Sequence, residues 1–103
     1  MKRRVVVNPK ARIDARRAAE YYFDQGGNDL AHRFFYSLED MYHMLADFPG
    51  IGSLWNHQNP NYSGVRRKAV PGFPKYHIFY RATDETLKIL HVFHSSRDLS
   101  KLF

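Results

Sequence analysis

The sequence contains no cysteine. A disulfide scaffold and any thiolate metal site are thereby excluded, and the expected address is a reducing one, the cytoplasm. Long apolar runs are missing as well. Met1-Lys2-Arg3-Arg4 has the charge of a secretory leader, but the apolar stretch behind it covers only Val5 to Val7 before Asn8-Pro9 halts it. Nothing approaches the roughly 20 consecutive apolar residues that a membrane span requires, so no membrane partner is expected. Acidic residues are scarce: 10 Asp and Glu stand against 16 Lys and Arg, a net charge of +6. The length, 103 residues, is too small for two cores and suits one domain over 1–103. Large cofactor folds are excluded by that length, and no cofactor is expected. What the chain does have is 44% hydrophobic and 16% aromatic residues, enough for a packed interior despite a mean hydropathy of −0.56.

The charge is unevenly spread. Residues 1–51 hold eight Lys and Arg against seven Asp and Glu, while residues 52–103 hold eight against three. A basic second half facing an acidic partner follows, with RNA, DNA and an acidic protein all open.

Arg4 to Val7 is short and β-branched and predicts a strand. Asn8-Pro9 supplies a helix cap and first turn, so a helix is expected over 9–25, with Ala11, Ala15, Ala18 and Tyr22 on its buried face. Gly26-Gly27 ends it. A second helix follows, on which Ala31, Phe34, Leu38, Met41, Leu45 and Phe48 step by three and four. That spacing makes one continuous apolar face, packed antiparallel on the first helix. Its Met and Phe residues are interior packing rather than a cofactor box. The stretch 51–64 is rich in Asn, Gly, Ser and Pro and reads as a loop anchored by Trp55 and Tyr62. From there the period becomes two, giving strands at 65–70, 76–81 and 87–93 joined by hairpin-length connections. The order β-α-α-β-β-β implies an α+β fold, a mostly antiparallel sheet packed on a two-helix hairpin. Alternation puts Ile78 and Tyr80 on one side of the sheet and Phe79 and Arg81 on the other, with the inner side undetermined.

The strands and the tail collect Arg66, Arg67, Lys68, Lys75, Tyr76, His77, Tyr80, Arg81, His91, His94 and Arg97. Cations interleaved with aromatics suit RNA, whose phosphates meet Lys or Arg and whose unstacked bases lie on rings. They also suit phosphodiester cleavage, with His91 and His94 as acid and base and Arg66, Arg81 and Arg97 stabilising charge. Against this, six histidines in a small basic chain place imidazoles near one another by chance. Metal ligation is not expected, since His91 and His94 are three apart on a strand and point to opposite faces, and no carboxylate is spaced to join them. Gly50-Ile51-Gly52 follows a helix rather than a strand and is no phosphate loop. Ser95 and Ser96 lack a nucleophile elbow. Arg97-Asp98 reads equally as a local ion pair fastening the tail, which is a short helix or an arm.

Several strings in order bring a family into view: Asn8-Pro9-Lys10-Ala11 with Asp14; Ala31 and Phe34 through Leu45 and Phe48-Pro49-Gly50-Ile51-Gly52; Val65-Arg66-Arg67; Tyr76-His77-Ile78-Phe79-Tyr80-Arg81; and Ile89-Leu90-His91-Val92-Phe93-His94-Ser95-Ser96-Arg97-Asp98. Over nearly its whole length the chain resembles the ParE toxins of the ParE/RelE superfamily. The resemblance implies a bacterial toxin of a type II toxin–antitoxin module, neutralised by a cognate antitoxin whose acidic, amphipathic C-terminal segment folds as it binds. It further implies inhibition of DNA gyrase, and so of replication and growth, by a protein that is not an enzyme. Arg66, Arg67, Arg81, His94 and Arg97 are the expected target contacts. The alternatives are a RelE-type endoribonuclease acting on mRNA in the ribosome, with His91 or His94 catalytic, and an inactive interaction domain.

Overall fold

A computed structural model describes residues 2–55 and 60–96. The expected α+β architecture is present. Strand β1 (Arg4–Val7) leads into a helical element α1 (Pro9–Asp47), followed by β2 (Ser53–Leu54), β3 (Arg66–Val70), β4 (Phe73–Ala82) and β5 (Thr86–His94). The sheet order is β1-β5-β4-β3-β2, antiparallel except where β1 runs parallel to β5. Among the described residues no helix is long and apolar enough to cross a membrane.

Helix α1 starts as its sequence dictates. Asn8 is extended and its side chain accepts from Lys10 N at 2.9 Å, with Pro9 in the first turn. The element runs to Asp47 but is broken and folded back at Gly26 and Gly27, whose backbones are not helical, the latter with φ +73°. Only glycine adopts that conformation without strain. The reversal is proved by Tyr22 and Phe34, whose ring centroids lie 5.2 Å apart. Twelve residues of straight helix would separate them by about 18 Å. The two predicted helices are therefore two arms of one hairpin.

The arms bury the predicted stripes, Ala11, Ala15 and Ala18 on one and Ala31, Phe34, Leu38, Met41 and Leu45 on the other. Phe48 departs from expectation: it is 59% exposed because the helix stops at Asp47 and the backbone of Phe48 (φ −133°, ψ 71°) turns its ring off the stripe.

The helix-facing side of the sheet is that of Ile78 and Tyr80, joined in the core by Val70, Leu87, Ile89 and Val92. Ile89 and Val92 are three apart, which strict alternation would place on opposite faces. A bulge reconciles them: Phe79 pairs with His91 and Tyr80 with Ile89, leaving Leu90 as the extra residue. On the other face Val65, Phe79 and Phe93 form a second cluster with Trp55, Tyr62 and Leu90.

Two elements differ from the sequence reading. Strand β2 lies inside the expected loop, since two residues carry no alternation signal. Strand β4 begins at Phe73 because Pro71-Gly72 alone makes the hairpin, with Gly72 at φ +80° as a turn of this kind requires.

Candidate functional site

The predicted contact residues are spread over both faces of the sheet. Arg66 pairs across the ladder with Tyr80 on the helix-facing side, and its Nη1 donates to Gly52 O at 2.7 Å. Arg67 pairs with Phe79 on the opposite face. Burial, and after it the Arg67 charge, lowers the pKa of His77, while a hydrogen bond to Pro74 O partly offsets the shift. Arg81 lies opposite Lys88 and donates from Nη2 to Ser63 O at 3.1 Å. His94 closes β5 on the helix-facing side, edge-on to Tyr76 at 5.2 Å. Its Nδ1 accepts from Ser96 N at 3.1 Å and lies 2.7 Å from Ser96 Oγ. Arg97, the Arg97-Asp98 pair and the rest of the tail lie outside the described residues.

His91 is held differently. Its Nδ1 donates to Asp14 Oδ2 at 2.9 Å, and the same oxygen accepts Val92 N at 3.1 Å. Asp14 is the buried charged residue of the core, at 9% exposure. A carboxylate accepting two hydrogen bonds explains how it tolerates that position. The His91 ring stacks on Phe93 with centroids 4.2 Å apart. His94, by contrast, borders a small cavity of about 110 Å³ with Asp14, Arg17, Ala18, Tyr76 and Val92. Among the described residues that cavity includes none of Arg66, Arg81 and His91, so the acid, base and cation candidates do not converge on it.

Of the aromatics on the expected surface, Tyr76 is half-buried at the edge of the His94 cavity and Tyr80 is interior. Tyr80 is fully buried, its hydroxyl accepting from Gly52 N at 2.9 Å and donating to Pro49 O at 2.7 Å. Burial raises the pKa of that phenol, with the Gly52 N–H and the Arg66 charge acting against it. A side chain on Gly52 would overlap the hydroxyl, so close packing requires glycine there. Phe79 and Phe93 are 1% and 3% exposed. These rings offer no face on which a base can stack.

The sequence reading passed over an apolar concavity. A groove of about 530 Å³ runs between edge strand β1 and the helical hairpin, lined by Val5, Val7, Ala15, Phe35, Leu38 and Tyr42, with Arg12, Arg16, Glu39 and His43 also in its wall. Burial strongly raises the pKa of the Tyr42 phenol, against the opposing charge of Arg12. The available signal was the apolar Phe35 and Tyr42 beside the core stripe, together with the valines of β1.

A family model described as ParE toxin of type II toxin-antitoxin system, parDE, matches residues 5–99. Among solved structures, a chain described as "Chromosomal ParDE TA system from P. aeruginosa" is similar at a TM-score of 0.72 and 16% identity, over 90% of this chain and 96% of that one. No curated protein matches the sequence.

Proposed function

Because the chain belongs to the ParE family of type II toxins, we propose that it acts by gripping macromolecules: it inhibits DNA gyrase and replication, and a cognate antitoxin silences it. The observation that carries this reading is the dispersal of the acid, base and cation candidates. His91 is committed to Asp14 and Phe93, His94 borders a different cavity, and Arg66 and Arg81 brace backbone carbonyls on opposite faces of the sheet. Transition-state stabilisation needs such groups converged within hydrogen-bonding reach of the reacting atoms.

The antitoxin segment is assigned to the groove beside β1. An amphipathic segment there sets its apolar side on Val5, Val7, Phe35 and Leu38, and its acidic side faces Arg12 and Arg16. Among the described residues β1 is an edge strand, so its outer main-chain groups add hydrogen-bonding capacity to the same margin. The gyrase contacts are assigned to Arg67 and Arg81 on the opposite face and to Arg66 and His94 on the helix-facing side, together with Arg97, which lies outside the described residues.

The deciding experiment incubates the purified protein with gyrase, ATP and supercoiled plasmid. Accumulation of cleaved, linear DNA after denaturation, suppressed by antitoxin, is expected. The Asp14–His91 pair favours one second reading, since a carboxylate orients an imidazole in many acid–base sites. Transcript cleavage on ribosomes, lost in His91→Ala, together with an inert gyrase assay would replace the first reading with the nuclease.

A further inference from the structure

Arg3 and Arg66 share a cavity of about 290 Å³ at the end of the sheet where the helical hairpin stops. Both side chains are fixed by main-chain carbonyls. Arg3 donates from Nε to Thr83 O at 2.6 Å and from Nη1 to Ala46 O at 3.3 Å, while Arg66 donates from Nη1 to Gly52 O. A carbonyl holds a guanidinium in place without cancelling its charge. These contacts use two of the five N–H donors of Arg3 and one of the five of Arg66. Among the described residues neither arginine forms an ion pair; the pair present is His91 with Asp14. Asp84, exposed in the β4–β5 turn, lines the same cavity. The site thus holds two positive charges against one negative, and it is half-buried. Like charges fixed together away from bulk water repel until an anion joins them.

We propose that this cavity binds a single carboxylate, the side chain of an Asp or Glu flanked by apolar residues in a partner protein. The net charge of the lining matches one monoanion. Gly50 and Gly64 form part of the wall and present bare backbone, which permits close approach. The margin is apolar: Phe48 and Ile51, flanking Pro49-Gly50, are 59% and 47% exposed. A peptide meets such a margin with apolar side chains, whereas a phosphodiester backbone has nothing apolar to set against it. No residue lines both this cavity and the groove beside β1, so the proposal stands whether or not the antitoxin occupies that groove.

The test is an amide chemical-shift titration of the full chain with a short peptide, acetyl-Leu-Glu-Phe-amide, with its Gln counterpart, and with a short DNA duplex. Saturable shifts at Gly50, Gly64 and Asp84 are expected with the Glu peptide, about tenfold weaker binding with the Gln peptide, and no shift at those amides with duplex. Arg3→Gln removes the response. Because Arg3 also braces the helix end, a second variant avoids that dependence: Asp84→Asn, in an exposed turn, removes the competing carboxylate and tightens binding several-fold. Equal affinity for Glu and Gln peptides, an unchanged affinity in Asp84→Asn, or duplex shifting those amides where the peptide does not would overturn the proposal.

Discussion

Asp14 reaches from the first arm of the helical hairpin to β5, where its Oδ2 receives both the Val92 amide and the His91 imidazole, at 3.1 and 2.9 Å. Strand β1 ends its pairing with β5 at Ile89. Beyond that point the carboxylate takes the place that a neighbouring strand's carbonyl would fill. Replacing Asp14 with Ala leaves a buried amide without its acceptor, at a cost of about 1–3 kcal/mol. The measurement is urea unfolding followed by circular dichroism. Asp14→Asn, which keeps one acceptor oxygen, is expected to lose less.

The Tyr80 hydroxyl ties Gly52 N to Pro49 O from inside the sheet. Tyr80→Phe strands the buried Gly52 amide and is expected to cost about 1–3 kcal/mol. Gly52→Ala, which drives a methyl group into that hydroxyl, is expected to cost at least as much. Thermal unfolding of both variants checks the order.

Gly27 occupies φ +73° with open space where a side chain would project. With ψ at −162° the residue lies outside the left-handed helical region, in one that is essentially reserved for glycine, so backbone strain alone sets the cost of substitution, about 1–3 kcal/mol for Ala. Gly27→Asn is expected to lose as much as Gly27→Ala, because the tolerance of Asn for positive φ is confined to ψ of about +47°. A melting temperature for Gly27→Asn close to that of the wild-type protein would falsify the account of the reversal.

His77 carries a pKa lowered from the ordinary 6.5, by burial first and the Arg67 charge second. A histidine that is harder to protonate when folded stabilises the fold fully above 6.5. That contribution fades as pH falls through 6.5 toward the lowered value. Unfolding free energy measured across that window should decline in the wild-type protein and decline less in His77→Gln.

Phe35 is 40% exposed and lines the groove beside β1. Phe35→Asp is expected to weaken antitoxin binding by about 10- to 100-fold, the equivalent of one lost aromatic burial, while gyrase poisoning persists. Calorimetry with the antitoxin and the plasmid cleavage assay separate the two effects.

Local chemistry made much of the fold legible. Asn8-Pro9 announced the helix start, Gly26-Gly27 the reversal, and the steps of three and four from Ala31 to Leu45 the buried face, because each signal depends on neighbours in the chain. Strand β2 was hidden, since two residues paired across a loop have no period. The bulge at Leu90 was hidden too, and with it the joint burial of Ile89 and Val92. The candidate sites were less legible still. Asp14 meets His91 across 77 positions, Val5 and Phe35 line one groove, and Arg3 and Arg66 line one cavity only because the helix end, a loop and two strands converge there. Tyr80 and Arg66 were marked for chemistry by residue type, and the tertiary structure uses both as internal braces.

The parallel pairing of β1 with β5 also governs when this molecule comes into being during translation. Arg4 finds its partner at Thr86, so the first strand emerges from the ribosome long before its neighbour exists. At about 5–20 residues per second the interval lasts several seconds. Until then the sheet lacks the strand that joins its first element to the rest, and the fold cannot close. A prematurely released chain that stops before β5 leaves β1 with no strand to pair with and never closes this sheet.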